Sequence, residues 1–117
     1  MDIRRGDIIM VHFYGNGNIQ NGYRPAVIVQ NNIGNRFSPT TIVAPITSEI
    51  KKTNLPTHEV IKREDTNGLR FDSMALCEQL ITINKSDINK KIGKITNENT
   101  MRNISKACSI SLDIALA

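Results

Sequence analysis

The stretch "GYRPAVIVQ", residues 22–30, joins an arginine and a proline to an uninterrupted apolar run. The segment "PAVIVQ" (25–30) predicts a strand that is apolar on both faces, which is typical of a strand at the centre of a sheet. Pro25 fits this prediction, because a strand tolerates proline at its first residue. Arg24 therefore stands at the mouth of a buried strand, where its permanent charge makes it a candidate anion-binding group.

Further strands are predicted around this run. Apolar or alternating segments occur at 7–13, 40–47, 55–62 and 72–83. Pro45 predicts a bulge or an edge within 40–47, and Asn67-Gly68 indicates a turn over 63–68. The pattern predicts a mainly β fold with α, in which a small curved antiparallel sheet or barrel carries short helices and a C-terminal helix.

The segments between these strands contain two predicted loops and two predicted helices. Residues 15–22 and 31–39 are rich in Gly and Asn, which favour loops. A short helix capped by Ser86 is predicted over 85–91, followed by an extended piece at 92–95. Periodic apolar residues predict a last helix over 97–114 with Thr96 as its cap.

Length and composition indicate one globular domain over residues 1–117, with 39% hydrophobic and 22% charged residues. The chain lacks an apolar run of the roughly 20 residues that a membrane span needs, and "MDIRRGD" lacks a signal-peptide core. We therefore expect a cytoplasmic protein. Cys77 and Cys108 lack metal-site spacing and are interpreted as reduced core residues.

The charge distribution permits an anionic partner. The net charge is +4 and the pI is about 9.3. Six basic and two acidic residues lie between Lys85 and Lys106, whereas the first 84 residues carry nine basic and eight acidic ones. Aromatic residues are only 4% of the chain, so platforms for base stacking would be few.

Several well-known catalytic motifs are absent from the sequence: a Gly-rich phosphate loop followed by Lys-Ser/Thr, a GxSxG elbow and an HExxH zinc motif. What remains is a set of polar residues at predicted strand ends. They are Arg24, Thr47, Ser48, His58, Ser73, Glu78 and Gln79.

Six segments in register resemble the MazF/PemK (Kid) family of type II toxins: "RRGDII", "RPAVIVQNNIGN", "TIVAPIT", "LPTH", "DSMALCEQLITI" and "KIGKI". The resemblance covers nearly the whole chain. It implies a small SH3-like barrel, a homodimer, and a metal-independent endoribonuclease, without cofactors, that cuts single-stranded mRNA at a short sequence. It also implies a cognate, MazE-like antitoxin that occupies the RNA groove.

The resemblance assigns catalysis to Arg24 and Thr47. A guanidinium can hold two oxygens of the scissile phosphate and stabilise its developing charge, while the Thr47 hydroxyl can align the phosphate or the 2′-OH. Attack by the 2′-OH would leave a 2′,3′-cyclic phosphate and a 5′-OH. Two alternatives stay open: Arg24 in a salt bridge to Asp7 or Asp72, and Thr47 as a strand-end hydroxyl that bonds its own backbone.

The resemblance also assigns RNA contacts, and Glu and Gln are side chains that can read base edges. His12 is interpreted as a structural histidine instead. The residues assigned to RNA binding are Asn18, Gln20, Asn31, Ser48, Leu55, Pro56, His58, Glu78 and Gln79.

Two departures from the family pattern bear on specificity. Ile19 replaces the acidic residue of a shortened loop, and Ile81 replaces an arginine after the Glu78-Gln79 pair. Two other functions remain as alternatives. One is a CcdB-like poison that binds gyrase, although such toxins use a C-terminal tryptophan and this chain has no Trp. The other is a catalytically silent RNA-binding barrel.

Overall fold

The computed structural model describes residues 1–15, 22–50 and 55–115. The predicted loop at 15–22 lies largely outside them. The described residues form eight strands and two helices in the following order: β1 Asp7–Phe13, β2 Gly22–Ile28, α1 Asn32–Phe37, β3 Thr40–Thr47, β4 His58–Ile61, β5 Thr66–Asn67, β6 Ser73–Leu76, β7 Ile81–Asn84, β8 Ile88–Ile95 and α2 Glu98–Ser111.

The strands form one curved antiparallel sheet that nearly closes into a barrel. Within the described residues the strand order is β4-β6-β3-β2-β1-β8-β5. β7 pairs with residues 40–43 of β3, next to the part of β3 that pairs with β6. The predicted fold class, mainly β with a C-terminal helix, is therefore confirmed.

β2 is a central strand, as its apolar run predicts, because it pairs with β1 on one side and β3 on the other. Ala26 and Ile28 pack into one core cluster, and Val27 packs into a second cluster on the opposite face. Burial on both faces explains why this strand is continuously apolar rather than alternating. The observed strand begins and ends earlier than the predicted 25–30.

β3 has the predicted bounds, but Pro45 marks neither a bulge nor an edge. Residues 40–43 pair with β7, and Ile46 and Thr47 pair with β6. Pro45 is buried at the junction between these two partners. The change of partner brings β6, and the turn that follows it, next to the end of β3.

The predicted loop at 31–39 contains a helix, α1. The Oδ1 atom of Asn31 accepts a hydrogen bond of 2.8 Å from the backbone N–H of Gly34 and caps its first turn. The helix has only six residues, so it lacks the apolar repeat by which longer helices are recognised.

The single strand predicted over 72–83 is two strands, β6 and β7, separated by a 3₁₀ turn over Cys77–Gln79. The helix predicted over 85–91 is also wrong. A 3₁₀ turn covers only Lys85–Asp87, and β8 begins at Ile88 because it pairs with β1 there. In both places tertiary pairing decides the structure against local pattern.

The predicted C-terminal helix is confirmed with shorter bounds, Glu98–Ser111. Asn97 rather than Thr96 is its cap, and its Oδ1 accepts a hydrogen bond of 3.1 Å from the N–H of Thr100. α2 packs over β4 and the turn at Cys77–Gln79. Neither helix among the described residues has the length and apolar character that crossing a membrane requires.

Candidate active site

Arg24 and Thr47 lie at corresponding positions of neighbouring strands. The β2–β3 ladder pairs Ala26 with Pro45, and continuing its register by two residues sets Arg24 opposite Thr47. Residues that face each other in this way share a side of the sheet. Both side chains line one cavity of about 580 Å³. The register of the two strands thus brings together the two predicted catalytic residues.

The backbone of Arg24 is held although its side chain is exposed. The backbone of Arg24 pairs with that of Val11 in β1, and the Val11 side chain is fully buried. Packing of the core therefore fixes the part of β2 that carries Arg24. The carboxylates named as alternative partners have other contacts. Asp7 forms an ion pair of 3.0 Å with Lys91, and Asp72 accepts a hydrogen bond of 2.9 Å from the N–H of Arg63.

Thr47 makes the local contact that its alternative interpretation expects. Its Oγ1 accepts a hydrogen bond of 3.1 Å from the backbone N–H of Glu49. A hydroxyl has one donor and two acceptor sites. The same contact therefore fixes the oxygen and leaves its hydrogen available to a group in the cavity.

His58 of β4 and Glu78 of the turn over Cys77–Gln79 also line the cavity. The Nε2 atom of His58 and the Oε2 atom of Glu78 are directly hydrogen-bonded. The His58 side chain is only 6% exposed, whereas that of Glu78 is 34% exposed. The pair thus presents its carboxylate rather than its imidazole to a molecule in the cavity.

The turn that carries Glu78 is tied to the segment before His58, since the N–H of Cys77 donates to the carbonyl of Thr57 over 2.9 Å. His58 itself pairs with Leu76 in the β4–β6 ladder. The lining of the cavity combines residues from both sides. It comprises Arg24, Pro25, Ile46, Thr47, Ser48, Glu49, Leu55, His58, Leu69, Arg70, Phe71, Ser73, Leu76, Glu78 and Gln79.

The predicted RNA-binding residues divide into three groups. Ser48, Leu55, His58, Glu78 and Gln79 line the cavity with Arg24 and Thr47. Asn31 caps α1, and neither it nor Pro56 is among the lining residues. Asn18 and Gln20 lie outside the described residues, as does Ile19.

Arg70 and Phe71 line the cavity but were not predicted from sequence. Phe71 is 68% exposed, which is unusual for a large aromatic side chain. The segment "GLRF" resembles an ordinary turn that follows Asn67. The only sequence signal for a site here is that an arginine stands next to a phenylalanine.

His12 lies away from this cavity, in keeping with its interpretation as a structural residue. Its ring is 4.2 Å from that of Tyr14 and 4.8 Å from that of Tyr23, between centroids. It lines a different cavity with residues of β7. Across residues 1–15, 22–50 and 55–115, His, Cys, Asp and Glu side chains form no cluster of three that could hold a metal ion.

Comparison with known proteins assigns the chain to a family. Residues 4–112 match the family model described as the PemK-like, MazF-like toxin of type II toxin-antitoxin systems. The chain belongs to this toxin family. A curated relative, endoribonuclease EndoA of Bacillus subtilis (strain 168), is 42% identical over 113 residues, which are 96% of each chain.

Solved structures of MazF toxins share the fold. An endoribonuclease from mycobacterial species superposes with a TM-score of 0.81 at 19% identity, over 100% of this chain and 97% of that one. MazF (Form-I) from Deinococcus radiodurans gives 0.81 at 15% identity, over 97% and 99%. A mycobacterial endoribonuclease in complex with its cognate antitoxin gives 0.74 at 21% identity, over 99% and 98%.

Proposed function

We propose that this PemK/MazF-like chain, as a single domain over residues 1–117, is the toxin of a type II toxin–antitoxin system. It acts as an endoribonuclease that cuts single-stranded mRNA at a short sequence, without a metal ion. The observation that carries the proposal is that Arg24 and Thr47 face one cavity from neighbouring strands. The relative named endoribonuclease EndoA supports the same reaction.

Arg24 stabilises the charge that builds on the phosphate. RNA carries its own nucleophile, the 2′-OH beside the scissile phosphate, and its attack produces a pentacoordinate phosphate with additional negative charge. A guanidinium stays protonated and can bind two phosphate oxygens together. Its strand is already fixed by pairing to β1, so little reorganisation is needed as the charge develops.

Thr47 aligns the reacting groups. Its oxygen is held by the N–H of Glu49, and its hydroxyl hydrogen donates to a phosphate oxygen or to the 2′-OH. Alignment of this kind lowers the barrier because the nucleophile is held near its in-line position. Threonine is not basic enough to remove the proton of the 2′-OH.

The His58–Glu78 pair supplies the proton acceptor that Arg24 and Thr47 lack. Glu78 lies in the same cavity, and its carboxylate is oriented by the buried imidazole of His58. A carboxylate held in this way can accept the 2′-OH proton. The bond to the 5′-oxygen then breaks to leave a 2′,3′-cyclic phosphate, and the departing oxygen takes a proton from the Arg24 guanidinium or from water to form the 5′-OH.

The remaining lining residues bind the nucleotides on either side of the cut. Ser48, Leu55 and Gln79 offer a hydroxyl, an apolar contact and an amide that can read a base edge. Phe71 offers a face on which a base can stack. Asn18, Gln20, Asn31 and Pro56 remain proposed RNA contacts outside the lining of this cavity.

The proposed partners are a second copy of the chain and an antitoxin. Ile33 and Phe37 of α1 are 76% and 75% exposed, and a homodimer would cover such apolar side chains. The basic chain suits a MazE-like antitoxin that presents a partly disordered acidic segment to the groove. The proposed site of action is the cytoplasm, where mRNA is found.

The test is cleavage of a long single-stranded RNA in EDTA, with the cut ends mapped and their chemistry determined. We expect discrete cuts that share a short sequence and carry 5′-OH ends. Arg24→Ala should make them about 1,000-fold more slowly. Arg102→Ala removes an exposed arginine from α2 with the same change of charge, and it should cut at the wild-type rate.

Two results would contradict the proposal. One is the absence of cutting by wild-type protein on RNAs that together contain all pentamers, which would favour the silent-barrel alternative. The other is equal cutting by Arg24→Ala and Arg102→Ala, which would assign the activity to a contaminating nuclease or to another site.

A further inference from the structure

Cys77 and Cys108 lie together beneath the cavity. Both are free thiols. Cys77 is fully buried in the 3₁₀ turn that also carries Glu78 and Gln79, and Cys108 is partly buried on α2. The two thiols are near enough for each to shift the pKa of the other. Two cysteines that are 31 positions apart in sequence are thus brought together where α2 packs on the turn.

The packing around the two sulfurs keeps them in place. Cys77 belongs to a buried core cluster with Ile104 and Ala107 of α2, and Cys108 packs against the same cluster. α2 in turn packs on the turn at Cys77–Gln79. A disulfide forms most readily between cysteines on elements that already pack together, and the turn and α2 pack together here.

The two thiols differ in reactivity. The hydrogen bond with the Cys77 thiol lowers the pKa of Cys108, and the nearby Arg5 guanidinium acts in the same direction. Arg5 is fixed there by hydrogen bonds to the Val29 carbonyl (3.0 Å) and the Ser105 hydroxyl (2.5 Å). The same thiol contact, together with burial, raises the pKa of Cys77. Cys108 is therefore the more accessible and the more thiolate-like of the two.

We propose that Cys77 and Cys108 form a reversible disulfide, made by a peroxide, through which the redox state controls the cavity. The Cys108 thiolate attacks one peroxide oxygen, the O–O bond breaks, and the released hydroxide takes a proton to form water. The Cys77 sulfur then attacks the resulting Cys108 sulfenic acid, and the S–O bond breaks to release a second water. Two thiols lose two electrons to the peroxide.

The disulfide is coupled to the cavity through the turn. The S–S bond, about 2.05 Å long, is shorter than the thiol–thiol contact that it replaces, so its formation draws Cys77 toward α2. Cys77 donates to the Thr57 carbonyl, and the next residue, Glu78, is hydrogen-bonded to His58. The Glu78 carboxylate is displaced from its place in the cavity that it shares with Arg24, and RNA cleavage slows. This last step rests on the proposed function.

The first test reads the bond itself. Reduced full-length protein is treated with one equivalent of hydrogen peroxide, quenched and measured by intact mass spectrometry. We expect a loss of two hydrogen atoms, a disulfide between tryptic peptides 71–85 and 107–117 without reductant, and full reversal by dithiothreitol. An unchanged mass, or a disulfide found only between two chains, would overturn the proposal.

Two variants test the order of the steps. With Cys77→Ala, the sulfenic acid on Cys108 has no partner thiol, so dimedone should label Cys108 stoichiometrically. With Cys108→Ala, the buried Cys77 should remain unlabelled. The opposite labelling pattern would contradict Cys108 as the thiol that is attacked first. The wild-type mass measurement holds whether or not these variants fold.

A second readout tests control of the cavity. Oxidised wild-type protein should cleave RNA about 10- to 100-fold more slowly than reduced protein, as expected for a catalytic group moved by about 1 Å. Cys108→Ala should respond to peroxide with no change in rate. A disulfide that leaves the rate unchanged would overturn the control of the cavity. The mass and labelling results do not depend on RNA cleavage, so they distinguish failure of this inference from failure of the proposed function.

Discussion

The two sides of the cavity are built differently. On the sheet side, Arg24 takes its place from the β1–β2 ladder and Thr47 from the β3–β6 ladder. On the turn side, Glu78 takes its place from a 3₁₀ turn, a hydrogen bond to His58 and one backbone contact from Cys77 to Thr57. The sheet side is fixed by regular strand pairing, whereas the turn side depends on a short turn and two single hydrogen bonds.

This difference predicts how each side responds to mutation. A substitution at Arg24 or Thr47 should remove one chemical group and leave the backbone unchanged. A substitution at His58, Glu78 or Cys77 should also change where its neighbours lie. Sheet-side substitutions should therefore lower the cleavage rate and leave the melting temperature unchanged. Turn-side substitutions should lower both.

The largest effect is expected for Arg24→Ala. Loss of a group that stabilises transition-state charge should lower the rate of RNA cleavage by about 1,000-fold. The side chain is exposed, so the melting temperature should stay within about a degree, as for other surface substitutions. Arg24→Lys keeps the charge without the two-pronged geometry and should recover only part of the rate. A large fall in melting temperature would show that the Arg24 side chain also stabilises the fold.

Thr47→Val should lower the cleavage rate by about 10- to 100-fold, because it removes the aligning hydroxyl and retains a β-branched shape. Thr47→Ser restores the hydroxyl and is the matched control, which should cut at close to the wild-type rate. Equal loss in both variants would contradict this role, because Thr47→Ser retains the hydroxyl to which the alignment is assigned.

His58→Ala and Glu78→Gln should be strongly non-additive. If His58 acts by orienting Glu78, each single substitution should remove most of the rate increase that the pair provides. The double variant should then cut RNA little more slowly than Glu78→Gln alone. Single-turnover rates of the four proteins give this cycle directly. Additive losses would indicate that the two residues act independently.

Phe71→Ala should weaken RNA binding by about tenfold through the loss of base stacking and leave the rate of the bound complex unchanged. Phe71→Tyr retains a ring and should bind like wild type. Fluorescence anisotropy with an uncleavable RNA separates binding from cutting. A change in the rate constant alone would place Phe71 in the catalytic rather than the binding part of the cavity.

The smallest effect is expected at Glu59 of β4. Burial raises the pKa of this carboxyl, and a hydrogen bond from Asn103 partly offsets the rise. The folded state therefore binds the Glu59 proton more tightly than the unfolded state does. The contribution of the protonated Glu59 carboxyl to the free energy of unfolding is fully present below the unfolded-state pKa. It is lost as pH rises through the higher folded-state pKa.

Glu59→Gln should slightly raise the stability at neutral pH and remove this part of its pH dependence. Urea unfolding of both proteins at mildly acidic and neutral pH measures the effect. A variant that is less stable than wild type at neutral pH would show that the charged carboxylate is favourable in the folded state.

Much of the sheet could be predicted from sequence because its strands are bounded by clear turn residues and filled with apolar side chains. β1 and β3 have their predicted bounds for this reason. The prediction of one strand over 72–83 missed the division into β6 and β7, because Cys77 and Leu80 continue an apolar pattern through the turn that holds Glu78 and Gln79. α1 is too short for a periodic signal, and only the cap at Asn31 indicates it.

The site was predictable only in part, since register and turn geometry cannot be read from local sequence. The pairing of Arg24 with Thr47 depends on the β2–β3 register. The contact of His58 with Glu78 depends on β4 pairing with β6. Arg70 and Phe71 lie in the segment between β5 and β6, and Cys77 meets α2 in the turn after β6. The spacing of these residues along the chain indicates neither arrangement.

Attack by the 2′-OH is tested most directly with a short RNA that contains the mapped cut site and the same RNA bearing one 2′-deoxy nucleotide 5′ to the scissile phosphate. We expect wild-type protein to bind both with similar affinity, to cut the all-RNA substrate to a 2′,3′-cyclic phosphate, and to leave the deoxy substrate intact. Cleavage of the deoxy substrate would mean that water or a side chain is the nucleophile, and would contradict the roles assigned to Arg24, Thr47 and Glu78.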